Sequence, residues 1–188
     1  MPKIGLVVDG VYDQRAIAIL LRKCGQGIMV VPRQCGGGQA VGKAIQILRE
    51  LARPSLVDFA IWATDSETED PTEVEARMRK AVKDARLNLD VCCVPVVPMM
   101  EAWLLADEVA VEKVCGASRK VNNPETLPNP KANLRDLLRK RPYTSVVAER
   151  IAQEANVAII AKRCPSFRKL KDCVAQTDRR RQKRTGRE

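Results

Sequence analysis

Apolar positions in the first half of the chain fall into short continuous runs, separated by longer stretches where they recur every three or four residues. Lys3–Val8 is a β-branched run that stops at Asp9-Gly10, which predicts a strand and then a turn. Behind it, Ala16, Ile17, Ile19, Leu20 and Leu21 have helical spacing within 12–23, and Gly25 closes that helix. Residues 27–32 read as a second strand. Residues 39–52 read as an amphipathic helix that buries Val41, Ala44, Ile45, Ile47, Leu48 and Leu51. The run 56–63 is almost unbroken, as expected of a parallel strand covered on both faces. A charged helix over 71–87 starts with Pro71, whose missing N–H is not needed in a first turn. Residues 90–97 form the last strand, ended by Pro98.

Strands and helices that alternate in this way predict an α/β fold with right-handed crossovers, and so a four-stranded, mainly parallel sheet flanked by helices. From Glu101 onward the period stays helical: 101–114, then a polar, proline-bearing connection over 116–130, then short helices at 132–140, 145–154, 157–162 and 166–174. The expected organisation is an α/β core over 1–106, a helical extension packed on it over 107–176, and a basic, disordered tail over 177–188.

Composition narrows the chemistry. The 188 residues are 45% hydrophobic but only 3% aromatic, so the core must be Val, Ile, Leu and Ala. There is no histidine, which excludes a Ser-His-Asp triad, Cys-His catalysis and histidine zinc sites. The seven cysteines show no CxxC pair, and isolated ones in apolar runs, such as Cys92 and Cys93, read as reduced core residues. No apolar run reaches the ~18 residues of a membrane span, and the chain goes from Met-Pro-Lys straight into a strand. A cytoplasmic protein with no membrane partner is the expectation. The net charge of +10 favours a polyanionic partner, nucleic acid above all. Residues 178–188 contribute six basic and two acidic residues to it.

Acidic residues follow three of the apolar runs: Asp9, Asp65 with Glu67, and Glu101. Acids at the carboxyl ends of parallel strands converge where open α/β sheets bind ligands, and gathered carboxylates suit a hard cation such as Mg²⁺ or Mn²⁺. Each has a plainer reading. Asp65 and Glu67 could cap the next helix, although Glu69 and Asp70 stand closer to its start. Asp13 and Glu101 could serve only a helix dipole. Gly37–Lys43 matches GxxxxGK, but Ala44 replaces the Ser or Thr that a phosphate-binding loop needs, so a loop with Lys43 available to phosphate is expected instead.

Three features together resemble the Toprim domain, the metal-binding module of topoisomerases, primases and OLD-type nucleases. They are the strand into Asp9-Gly10, the strand into Asp65-Ser66-Glu67, and Pro98-Met-Met-Glu-Ala-Trp-Leu-Leu-Ala-Asp107. Asn129-Pro130-Lys131, Tyr143 and Cys164-Pro165-Ser166-Phe167 resemble small bacterial Toprim-like proteins of unknown function, some encoded beside ATPases. The Toprim pattern has Glu-Gly in the first turn and Asp-x-Asp in the second, where this chain has Asp9-Gly10 and Asp65-Ser66-Glu67. The resemblance implies phosphodiester cleavage or nucleotidyl transfer on DNA or RNA, and by analogy an ATPase partner in a defence-like system. It would make Asp9, Asp65 and Glu67 catalytic, with Asp65, Glu67, Glu101 and Asp13 on one or two Mg²⁺ ions. Lys43, Lys131, Lys162 and Arg163 would contact phosphate. The competing expectation is a catalytically silent nucleic-acid-binding or adaptor protein of the same shape.

Overall fold

A computed structural model describes residues 1–36, 40–54, 56–139 and 141–185; for 177–185 it describes the backbone only. Four strands, β1 (Lys3–Val8), β2 (Met29–Gln34), β3 (Phe59–Asp65) and β4 (Val91–Val96), form one sheet in the order β2-β1-β3-β4. Every pairing is parallel. The protein is therefore α/β, with helices on both faces of the sheet. Pro32 and Pro95 lie in the two edge strands, the positions where a missing N–H does least harm.

The helices divide the core in two. On one face, α2 (Val41–Leu51) and α3 (Pro71–Ala85) cover Val7, Ala60, Trp62 and Cys93. On the other, α1 (Val11–Cys24) and the second half of the chain cover Leu6, Val8, Ile61, Ala63 and Val94. This second half comprises α4 (Met100–Leu105), α5 (Glu108–Cys115), a 3₁₀ turn at Pro124–Thr126, α6 (Pro130–Leu138), α7 (Ser145–Glu154), α8 (Val157–Arg163) and α9 (Pro165–Thr185). The larger core runs without a break from sheet residues into α4–α9. Strand alternation thus decides which core each side chain joins.

Local details depart from the pattern in three places. The helix expected over 101–114 is two helices, because Asp107 turns inward at their junction. Its carboxylate accepts from the Ala110 N–H at 3.3 Å, capping α5, and from the Asn156 N–H at 2.7 Å. The backbone of 177–185, expected as a disordered tail, continues α9; the rest of the tail, 186–188, lies outside the described residues. Cys92, read as a reduced core residue, is joined to Cys173 on α9 by a disulfide whose Cα atoms lie 6.3 Å apart. A separation of 81 residues hid that pairing. Among the described residues no helix is long and apolar enough to cross a membrane.

A short polar chain ties α4 to the helices beyond it. The Trp103 indole N–H donates to Ser166 Oγ at 2.7 Å, and the Ser166 hydroxyl donates to Glu125 at 2.5 Å. Burial raises the Glu125 pKa, although these hydrogen bonds oppose the rise. Ser166→Ala leaves a buried indole N–H without its acceptor, and is expected to lower unfolding free energy by about 1–3 kcal/mol in a urea titration. An unchanged midpoint would show that Ser166 does not hold α4.

Candidate functional site

The sheet order creates a crevice between β1 and β3, since the chain leaves β1 toward β2 on one side and returns through β3 to β4 on the other. Ligand sites of open α/β sheets lie at such a reversal, beyond the carboxyl ends of the strands. Asp65 is the last residue of β3, and Asp9 directly follows β1. Their side chains serve opposite faces.

Asp9 turns toward the α2–α3 face. It accepts the Thr64 hydroxyl at 2.5 Å, the Asp65 N–H at 3.1 Å and the Cys35 thiol at 3.5 Å. Burial, then the Asp9 charge, push the Cys35 thiol up to about 12, so it remains a protonated donor. Asp9 also lines a small pocket with Trp62, Thr64 and Arg77. The carboxylate expected to transfer protons is thus held by three donors, one of them the backbone of Asp65.

Asp65 turns the other way, toward Asp13 on α1 and Glu101 on α4. Its Oδ1 accepts the Met100 N–H at 3.2 Å, so it caps the helix that carries Glu101. Asp13 occupies the first turn of α1, where its Oδ2 accepts the Gly10 N–H at 3.0 Å. Glu101 is 3% exposed in the first turn of α4. The plainer reading, helix-terminal acids, is therefore correct for Asp13 and Glu101, and their helix ends also bring the two carboxylates together.

Asp65 and Asp13 both feel the charge of neighbouring carboxylates. Burial, then the charges of Asp13, Glu101 and Asp9, hold the Asp65 carboxyl well above the ordinary carboxylate range. Burial, then Glu101, push Asp13 up to about 7. Some positive charge is supplied by Lys131 at the start of α6, whose Nζ lies 3.8 Å from Glu101 Oε1 and 4.9 Å from the Tyr12 ring centroid. Its effect on Asp13 is smaller than that of burial and of the neighbouring carboxylate.

The remaining expected residues stand apart. Glu67 is exposed in a left-handed conformation (φ 50°) at the turn after β3, and the neighbouring charges that most raise Asp65 are those of Asp13, Glu101 and Asp9. Asp70 caps α3 in its place, accepting the Thr72 N–H at 2.7 Å, and Glu69 pairs with Arg77. Lys43 lies on α2, with Nζ near Gly36; Gly37 and Gly38 of the GxxxxGK match lie outside the described residues. Arg163 donates to the Ala106 carbonyl at 2.5 Å and pairs with Glu108 at 3.1 Å, away from the acidic cluster. Lys162 is exposed beside it on α8. Of the four basic residues expected at phosphate, only Lys131 is paired with a carboxylate of the cluster.

Two aromatic residues complete the surroundings. Tyr12 and Tyr143 have ring centroids 5.5 Å apart, and the Tyr12 hydroxyl donates to the Tyr143 carbonyl at 3.4 Å. The Tyr143 hydroxyl is buried without a well-formed hydrogen bond. Burial first, then the nearby charge of Glu101, raise its pKa far above the usual phenol value. No site role was expected of Tyr143, although it stands among the residues that resemble the small Toprim-like proteins.

The donors are the hard oxygens a divalent cation takes, and their crowding raises the Asp13 pKa despite Lys131. Among the described residues no group of three or more Asp, Glu, Cys or His side chains stands ready to hold a metal ion. Cation binding would therefore need carboxylate rotation, which their partly exposed rim allows for Asp13 and Asp65. No curated protein and no solved structure matches the chain. A family model described as a domain of unknown function (DUF4276) matches residues 13–174, which include Asp13, Asp65, Glu101, Lys131 and Tyr143. The chain belongs to the DUF4276 family.

Proposed function

We propose that this DUF4276 protein is a Mg²⁺- or Mn²⁺-dependent subunit that cleaves or transfers phosphodiesters of nucleic acid. The observation that carries this reading is that Asp65 ends β3 at the β1–β3 crevice while Asp13 and Glu101 stand in the first turns of α1 and α4, where each raises the Asp65 pKa. Asp65, Asp13 and Glu101 would hold the cation, which when bound supplies charge neutralisation at phosphate and a more acidic water. Lys131 is placed to meet a phosphate oxygen once its attraction to Glu101 is relieved. Asp9 fixes the end of β3 through the Asp65 N–H, a positioning role more than a proton-transfer one. The +10 charge supports a nucleic-acid partner. An ATPase partner is supported only by the Toprim-like motifs.

The test is calorimetric titration with Mn²⁺ and Mg²⁺, followed by incubation with labelled single- and double-stranded DNA and RNA, with and without EDTA. Micromolar-to-millimolar cation binding and EDTA-sensitive cleavage are expected. A folded protein that binds neither cation would sink the enzymatic reading. The second reading, a silent nucleic-acid-binding protein, is favoured by the lack of a ready-formed ligand set among the described residues. It requires nucleic-acid binding that EDTA leaves intact, without cleavage.

A further inference from the structure

Glu101 stands at one end of a run of contacts. Lys131 approaches one of its oxygens at 3.8 Å and rests over the ring of Tyr12, and Tyr12 packs on Tyr143 and donates to its carbonyl. Glu101 is the charge that, after burial, most raises the Tyr143 pKa, so its carboxylate lies beside the phenol. The ring is only 8% exposed and sits just before Thr144, which caps α7 by accepting the Val147 N–H. Its hydroxyl nevertheless closes no well-formed hydrogen bond. Burying a phenol hydroxyl without a partner is unfavourable, and phenylalanine would fill the same space without that penalty. The hydroxyl suits a state in which Glu101 has turned slightly from the geometry seen here.

We infer that Tyr143 is a positioning residue for a divalent cation at the acidic site, its hydroxyl donating to one Glu101 oxygen so that the other faces Asp13 and Asp65. The inference rests on the reading of that cluster as a cation site. Carboxylate ligands are commonly held by a donor behind them, and loss of such a donor weakens metal affinity by ~10-fold or more. Lys131 cannot do this alone, since an ammonium on a flexible stem fixes distance poorly and orientation hardly at all.

The experiment is Mn²⁺ titration of the full chain and its Tyr143→Phe variant, by calorimetry and by near-ultraviolet tyrosine difference absorbance. With two tyrosines in the chain, the variant reports Tyr12 alone. The expected result is ~10-fold weaker binding in Tyr143→Phe, an unchanged or higher melting temperature without cation, and loss of most of the tyrosine difference band. A merely structural Tyr143 would leave affinity and band unaltered, which overturns the inference while the cation site stands. Wild type that binds no Mn²⁺ overturns both. Should Tyr143→Phe fail to fold, the wild-type spectrum decides alone: saturation with Mn²⁺ and no tyrosine band overturns the positioning role.

Discussion

Asp65→Asn is expected to melt several degrees above the wild-type chain in EDTA, and to show no calorimetric response to Mn²⁺. Both results follow from one placement. Asp65 ends the central strand, where protein surrounds its carboxylate and the charges of Asp13, Glu101 and Asp9 disfavour ionisation. Asparagine resembles the protonated acid, so it removes the repulsion while its carbonyl can still accept the Met100 N–H that caps α4. For a chain of this length each kcal/mol corresponds to about 2–4 °C in melting temperature. A gain of ~4 °C is within reach of relieving one repelled charge. A variant that melts below wild type, or that binds Mn²⁺ with unchanged affinity, would show that Asp65 is not the focus of the cluster.

The second large effect is on pH. Asp13 is pushed up from an ordinary 3.8 to about 7, and Asp65 is raised as well. A carboxyl whose pKa is higher folded than unfolded favours folding while protonated. In the cation-free protein that contribution is fully present below pH ~4 and is lost as pH rises through 7, because the native state binds more protons than the unfolded one across that window. At about 1.4 kcal/mol per unit, the Asp13 contribution is bounded near ~4 kcal/mol. The facing groups are Glu101 and Asp9, which raise it, and the Gly10 N–H and Lys131, which oppose them. Melting temperature in EDTA should therefore fall between pH 5 and pH 8, and Asp13→Asn should flatten the slope. A wild-type curve that rises over the same interval would contradict the arrangement.

The strand and helix pattern was readable because period and charge agreed with burial in β1, α1, β3 and α3. Ser145–Glu154 matches α7 residue for residue. The break between α4 and α5 was not readable, since Asp107 acts through the Asn156 N–H far along the chain. The same limit applied to the site. That Asp9 and Asp65 end neighbouring strands could be read from runs of apolar residues. That they point to opposite faces follows from the register of their strands and needs the structure. Glu67 was favoured by its spacing from Asp65, but the turn after β3 carries it outward. Lys131 and Tyr143 come from segments 30 or more residues beyond Glu101, and only the packing of α4, α6 and α7 shows that they meet it.

The larger of the two cores is completed by the second half of the chain, and this sets an order of events during synthesis. While the ribosome has released only the four strands and α1–α3, one sheet face is covered by α1 alone, and Asp13 and Asp65 stand together without Glu101, Lys131 or Tyr143 behind them. The acidic site becomes whole only when α4, α6 and the residue before Thr144 have docked. A nascent α/β half therefore has no complete acidic cluster, and the cluster is completed by the same step that shields the apolar sheet from aggregation.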